Sequence, residues 1–419
     1  MKKVTHLLVG DPRKLFTAFN LISGLIVVVG IGLIGLRLFK GLGAVTNLSQ
    51  TTPWGLWIGF DVMSGVALAA GGYTIAATVH LFGMEEYEPL VRPAILTGLL
   101  GYVFVVLGLI LDLGQPWRMP LIMIFPRGVT SVLFEVGMCV AAYLTVQALE
   151  FVPAFWEWLQ WERLRQFWSK LTIWLAILGV VLSTLHQSSL GSLFLIAPTK
   201  LHPLWYSMYL PLFFFVTSII AGLSMVIVES SLSHRLFAYR LPPSSHFDLD
   251  KLTLGLGKAA CAVLYVYFFL KLIGLAEGGH WDLLNTPYGH LYLVELLGFV
   301  ALPCALYVVG VRTRDVRLLR VTGAWTVLGI LFNRLNISII AMNWQVSPHY
   351  IPSWMEVVVS LALVTMGVWL FRWLVNRLPV VSTEKPAVGT NTLKGLWAEA
   401  EKAWIGDRLS KASDSNPVF

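Results

Sequence analysis

A few ionisable side chains lie inside otherwise apolar stretches, and they are the residues here whose types could do chemistry. Asp61 lies in W-I-G-F-D-V, Asp112 in L-I-L-D-L-G, Glu135 in V-L-F-E-V-G, and His186 with Gln187 in S-T-L-H-Q-S-S. An imidazole titrates near neutrality, and burial or a like-charged neighbour moves a carboxyl toward it, so the set could take up and release protons. A quinone headgroup needs such partners, because each carbonyl gains or loses a proton during two-electron, two-proton chemistry. The alternative is structural: Asp61 and Glu135 could instead pair with backbone groups inside a bundle.

A second group, Lys271, Glu295, Asn333, Arg334 and Asn336, has a different balance. Two cations beside one carboxylate can neutralise it, which reads first as a structural ion-pair network. His80, Tyr143, Glu150 and Glu229 lie deeper or toward opposite span ends, where they could form a path for protons or simply meet water at the interface. Cys139, Cys261 and Cys304 each sit alone in an apolar run without CxxC spacing, so no cluster, zinc site or disulfide framework is expected. Haem would need paired axial ligands, and the spans hold only His80, His186 and His290, which do not pair at one depth in one bundle. No phosphate loop, nucleophile elbow or H-E-x-x-H motif occurs, so no catalytic nucleophile, haem or metal is expected in this chain.

The elements that must position these residues follow from composition. Of 419 residues, 57% are hydrophobic and 13% charged, against about 25% charged in soluble proteins; mean hydropathy is +0.73. The chain belongs in a bilayer, and its net charge of +7 reflects basic loops between apolar runs rather than nucleic-acid binding. Ten runs reach the roughly 20 residues a crossing needs: 16–38, 55–82, 90–114, 128–150, 169–193, 203–232, 252–276, 289–311, 318–343 and 353–378. The first run is too long for a signal-peptide core of roughly 7–15 residues and lacks an A-x-A-like site, so it is expected to be retained.

The positive-inside rule gives the orientation. With a cytoplasmic N-terminus, the inner segments hold Lys2, Lys3, Arg13, Lys14, Arg92, Arg163, Arg165, Lys170, Arg235, Arg240, Lys251, Arg312, Arg314, Arg317 and Arg320, and the outer ones only Arg37, Lys40, Arg118, Arg127 and Lys200. Fifteen against five places both termini in the cytoplasm. Asp61, Asp112, Glu135 and His186 then share one outer-leaflet layer on spans 2–5, and Lys271, Glu295 and Arg334 repeat it on spans 7–9. Glu135 and Glu295 each follow a Pro-x-Gly (126–128 and 287–289), which suggests two parallel four-helix bundles: spans 2–5 (55–193) and spans 6–9 (203–343), flanked by spans 1 and 10. The fold expected is all-α, with a ten-span domain over 1–378 and a cytoplasmic tail over 379–419. Residues 153–168 suit an interfacial helix, and 392–411 a short amphipathic helix in that tail or a docking site.

T-P-W-G-L-W-I-G-F-D (52–61), L-D-L-G-Q-P-W-R (111–118), L-H-Q-S-S-L-G-S-L-F (185–194), K-L-H-P-L-W-Y-S (200–207) and F-N-R-L-N (332–336) resemble the NrfD/PsrC-like integral membrane subunits. The likeness is greatest to the ten-span HybB-like branch, which includes a hydrogenase membrane subunit and QrcD, and it runs over nearly all ten spans. The resemblance implies a haem-free anchor of a membrane-bound quinone oxidoreductase complex in the bacterial inner membrane. Such an anchor exchanges electrons with menaquinone or ubiquinone through a ferredoxin-like iron–sulfur subunit on the outer face, with further periplasmic catalytic or multihaem cytochrome subunits. It also implies a quinone pocket in the first bundle, at Asp61, Asp112, Glu135, His186 and Gln187, and a second bundle without quinone. The rival readings are a proton-coupled secondary transporter, favoured by helices broken at mid-membrane such as at Gly71-Gly72, and a structural anchor without a quinone site.

Overall fold

The computed structural model describes residues 18–125, 128–237, 248–347 and 349–380; the basic N-terminal segment, Pro126, Arg127 and the tail helix expected over 392–411 lie outside them. Among the described residues, ten helices are long and apolar enough to cross a membrane: α1 (Ala18–Lys40), α2 (Trp57–Leu81), α3 (Glu85–Asp112), α4 (Val132–Trp158), α5 (Glu162–Leu195), α6 (Leu210–Leu236), α7 (Leu249–Gly278), α8 (Pro287–Thr313), α9 (Val316–Ala341) and α10 (Trp354–Val375). Lipid offers no hydrogen bonds, so an apolar run of this length satisfies its backbone internally by coiling. Polar side chains at several starts take up orphan N–H groups: Asp248 before α7, Asp315 before α9, Thr286 before α8, and the reciprocal Ser353–Glu356 capping box of α10.

Contacts across the molecule show which helix ends lie together. Arg37 near the end of α1 bonds carbonyls at the end of α3, Trp57 at the start of α2 bonds Glu356 of α10, and Lys271 near the end of α7 meets Glu295 near the start of α8. Odd-numbered helices therefore finish, and even-numbered ones begin, at one end, here termed the upper end. Helix packing forms two closed rings. In the first, α2 lies on α3, α3 on α4, α4 on α5 and α5 again on α2; in the second, α6, α7, α8 and α9 close in the same way. α2 and α5 join the rings through α6, and the α1–α10 pair lies across α3.

The α2–α6 crossing is tight enough to require glycine. A Cβ on Gly222 would lie 2.9 Å from backbone atoms of Ala70 and Gly71. At that level α2 is interrupted by a turn at Ala69–Ala70, and its outer portions, Trp57–Ser64 and Ala77–Leu81, are π-helical. π-helical segments recur in α8 (Val294–Ala301) and α9 (Asn336–Ala341). Such segments commonly mark functional sites, and here they contain Asp61, His80, Glu295 and Asn336.

One expectation is corrected. Residues 153–168 do not form a separate surface helix: α4 continues through Pro153 to Trp158, and α5 begins at Glu162 after a tight turn in which Gln160 takes φ 59°. With 34 residues, α5 is about 51 Å long, well beyond the roughly 30 Å hydrocarbon core. Its Trp- and charge-rich end is thus a projecting part of a span. Trp156 stacked on Trp161, with ring centroids 5.4 Å apart, fastens the turn.

Candidate functional site

The apolar interior of the first ring holds a polar centre. His186 on α5 is fully buried. Its Nδ1 lies 3.0 Å from the Leu182 carbonyl, which can only accept, so Nδ1 carries the hydrogen. Nε2 of the neutral ring is then left to accept from the Tyr102 hydroxyl of α3. Tyr143 of α4 closes the group, its ring centroid 4.6 Å from Tyr102 and 5.5 Å from His186. Gln147 donates to the Tyr143 hydroxyl at 3.0 Å, and Gln187 donates to the Val66 carbonyl at 3.1 Å. Ser183 and Gln187 lie beside the tyrosine hydroxyls and interact with them, while Gln147 Oε1 is buried without a hydrogen-bond partner among the described residues. An unused acceptor beside a His–Tyr pair leaves the centre able to receive a further hydrogen bond.

The four residues expected in one layer are divided among three sites. Asp61 turns away from His186 toward α10, where Ser360 Oγ donates to its Oδ2 at 2.5 Å. Asp112 lies within electrostatic reach of Arg37 and Glu356, with Oδ1 buried and unpartnered. Arg37, which charge counting put in an outer loop, is only 2% exposed and donates through Nε to Leu111 O at 2.6 Å and also to Leu113 O. Glu356 accepts from the Tyr350 hydroxyl and, at 2.9 Å, from the Asn47 N–H, while Trp57 Nε1 donates to its carbonyl at 3.2 Å. Burial, with the hydrogen bond to Glu356, raises the Tyr350 phenol and keeps it protonated. This second cluster ties the α1–α10 pair to the first ring.

Glu135 occupies a third position. It is exposed at the surface of α4 and accepts from Ser189 of α5 at 2.5 Å. Ser189 follows His186 by three residues, one helical turn or about 4.5 Å upward. Below His186, Tyr143, Gln147 and Glu150 form a stripe on α4 at i, i+4 and i+7 spacing, with a Glu150 carboxyl oxygen facing Gly179 of α5. Glu229 accepts from Ser233 at 2.7 Å and, with Thr97, lines a tight crevice between α2, α3 and α6. His80 is buried near the lower end of α2.

The second ring does bring its five expected residues together. Glu295 Oε1 accepts from Asn333 at 2.7 Å and faces Lys271 Nζ at 3.5 Å; Oε2 accepts from Asn336 at 2.8 Å and Trp205 Nε1 at 2.9 Å. Arg334 donates to Thr217 Oγ1 at 2.7 Å and Asn333 Oδ1 at 3.0 Å, and lies 3.7 Å over the Phe214 ring. Glu135 and Glu295, alike in local sequence, therefore differ in setting: one is a surface carboxylate with a hydroxyl partner, the other a buried carboxylate with four donors. Nearby, His202 of the α5–α6 connection packs among Trp205, Tyr288 and Trp344; burial, with His280 adding, lowers its pKa to about 4, so it stays neutral.

Tyr102 and Ser183 carry no charge and so leave no mark inside an apolar run, and Arg37 reads from the sequence only as an outer loop charge. Glu356 did leave a signal, the S-x-x-E spacing of Ser353 and Glu356. As an axial haem ligand His186 fits poorly, because both its ring nitrogens are engaged and two tyrosine rings lie within 5.5 Å.

A ten-helix membrane protein built from two four-helix rings, with a buried His–Tyr centre in one and an ion network in the other, is the class these observations define. The chain belongs to the NrfD family: the family model described as Polysulphide reductase, NrfD, matches residues 44–347, which run from the segment before α2 through α9 and include both rings. A protein of Nitratidesulfovibrio vulgaris is 50% identical over 371 residues, covering 88% of this chain and 96% of the relative. The probable Ni/Fe-hydrogenase 2 b-type cytochrome subunit of Escherichia coli is 34% identical, covering 88% and 95%. The integral membrane subunit of a menaquinone reductase of N. vulgaris is 25% identical, covering 83% and 87%.

Proposed function

We propose that this chain is the quinone-interacting subunit of a respiratory oxidoreductase complex in the bacterial inner membrane. It would pass electrons between a periplasmic ferredoxin-like iron–sulfur subunit, docked on the upper face, and menaquinone. Family membership and the relatives' names support the class of complex. The observation that carries the site is the buried Tyr102–His186 hydrogen bond one turn below the Glu135–Ser189 pair. A headgroup arriving from lipid would meet Glu135 first, at the surface of α4, with the His–Tyr pair behind it.

Reduction of a quinone adds two electrons and two protons, and on this reading both electrons come from the docked subunit. This chain's part is the protons: Glu135 delivers at the surface, and His186, with Tyr102 as its donor, replenishes from within. The Tyr143, Gln147 and Glu150 stripe supports a route from the lower end. Protons drawn along it make turnover electrogenic; protons drawn from the upper face do not. Asp61 and Asp112, bonded toward α10 and α1, hold the wall of the site rather than the headgroup.

The test replaces His186 with Ala and, separately, Glu135 with Gln in the assembled complex. A positioned acid–base group is worth about 10²–10⁴-fold, so turnover of a menaquinone analogue should fall by at least about 10²-fold while donor oxidation by an artificial acceptor is unchanged. Undiminished quinone turnover in both variants would remove the site from the first ring.

A further inference from the structure

The second ring carries a net buried charge. Among the described residues, the buried charged side chains of its upper half are Lys271, Arg334 and Glu295: two cations and one anion. The other buried acid of this ring, Glu229, lies twelve residues along α6 from Thr217, about 18 Å of helix away. Buried charge in a membrane is ordinarily paired. Glu295 is satisfied by four donors, whereas Lys271 has a single anionic partner that it shares with the other three. Among the described residues, its N–H groups meet one carboxylate oxygen, at the long distance of 3.5 Å, the Tyr292 hydroxyl, and the rings of Tyr292 and Phe213 at 4.7 and 5.7 Å.

Lys271 also lines a cleft. Trp205, Tyr206, Ser207, His280 and Tyr292 share it; it is narrow and open at its mouth, and its enclosed part has room for about one water molecule. Gly274, one turn above Lys271, keeps the passage clear, since a Cβ there would lie 3.1 Å from Phe213 and from Ser207 Oγ. The depth fits a headgroup. α7 has 30 residues, about 45 Å, so its ends pass beyond a roughly 30 Å hydrocarbon core, and Lys271, about 10 Å from Gly278, lies near that boundary. Ile273 and Phe269 on the same helix are exposed and apolar, and Trp281 stands at the rim.

We propose that this cleft binds a phosphate-type anion that neutralises Lys271, carried by an anionic phospholipid or free in solution. The anion would sit at the mouth with a single oxygen directed inward at Lys271, and with Ser207 and His280 as further donors. The exposed face of α7 would take acyl chains where the phosphate belongs to a lipid.

The full chain, purified in a neutral detergent, is titrated with phosphatidylglycerol, phosphatidylcholine and inorganic phosphate while its melting temperature is followed by tryptophan fluorescence. Binding to the folded state raises that temperature with ligand concentration. The wild type should respond to phosphatidylglycerol and not to phosphatidylcholine, with affinity at least ten-fold weaker in Lys271→Met. Gly274→Ala, which leaves the ammonium in place and narrows the passage, should also weaken binding and carries the test if Lys271→Met does not fold. A lipid response that phosphate neither reproduces nor competes with assigns the site to lipid. A response to phosphate alone, lost in the variants, assigns it to the free anion. A phosphatidylglycerol response identical in wild type and variants, an equal response to phosphatidylcholine, or no response in the wild type overturns the proposal.

Discussion

At the scale of single residues, the two carboxylates with similar local sequence make opposite predictions. Glu295 is 1% exposed, and its neutralisation would leave Lys271 and Arg334 buried without an anion. Breaking a buried charge pair from one side costs about 3–5 kcal/mol, so Glu295→Gln should lower the melting temperature markedly, and Lys271→Met added to it should recover part of the loss. Glu135→Gln at the exposed surface should stay within about 0.5 kcal/mol of the wild type. Thermal unfolding of the purified chain decides both, and equal effects would contradict the assigned settings. Residue identity made the charged participants legible, because a carboxylate or ammonium in an apolar run stands out whatever its partner. It could not reveal direction: as the fifth residue of α2, Asp61 could equally face His186 or Ser360, and only the packing of α10 decides. Nor could it select Tyr102 from the chain's other tyrosines, since a neutral phenol inside a span is ordinary until an imidazole lies beside it.

At the scale of helices, existence was legible and termination was not. Ten apolar runs become ten helices because lipid leaves the backbone no other solution. Hydropathy falls before the helix ends, however, so Trp- and charge-rich segments such as 153–168 look separate while remaining parts of α4 and α5. The π-helical segments left no mark in composition. Glycine placement does yield a prediction. Gly222 faces α2 backbone at 2.9 Å, whereas nothing lies within 4 Å of a Cβ on Gly32 or Gly35 of α1. Backbone cannot rotate aside as a side chain can, so Gly222→Ala should cost about 1–3 kcal/mol through overpacking and loosen the joint between rings. Gly32→Ala, on an exposed helical face, should be neutral or slightly stabilising. Melting temperatures of the two variants in one detergent test this, and equal stability would mean that α2 and α6 cross less closely.

At the scale of the whole molecule, which end faces the cytoplasm governs every statement about partners and protons. Charge counting favours a cytoplasmic lower end, and burial sharpens that count. Arg37, one of the five basic residues assigned outside, is folded into the protein and spent on the Leu111 and Leu113 carbonyls, so it contributes little as a loop charge. Lower-end cations remain at the surface, among them Lys251, Arg312, Arg314 and Arg317, and it is surface Lys and Arg near span ends that bias insertion. Two exposed positions distinguish the orientations: Lys200 in the upper connection between α5 and α6, and Arg163 at the lower start of α5. In a variant without Cys139, Cys261 and Cys304, Lys200→Cys should react with a membrane-impermeant maleimide on intact cells, and Arg163→Cys only after the inner membrane is opened. The reverse pattern would put the Glu135–His186 end in the cytoplasm. An iron–sulfur partner would then have to dock there, and protons drawn through the Glu150 stripe would come from outside, reversing the charge movement per turnover.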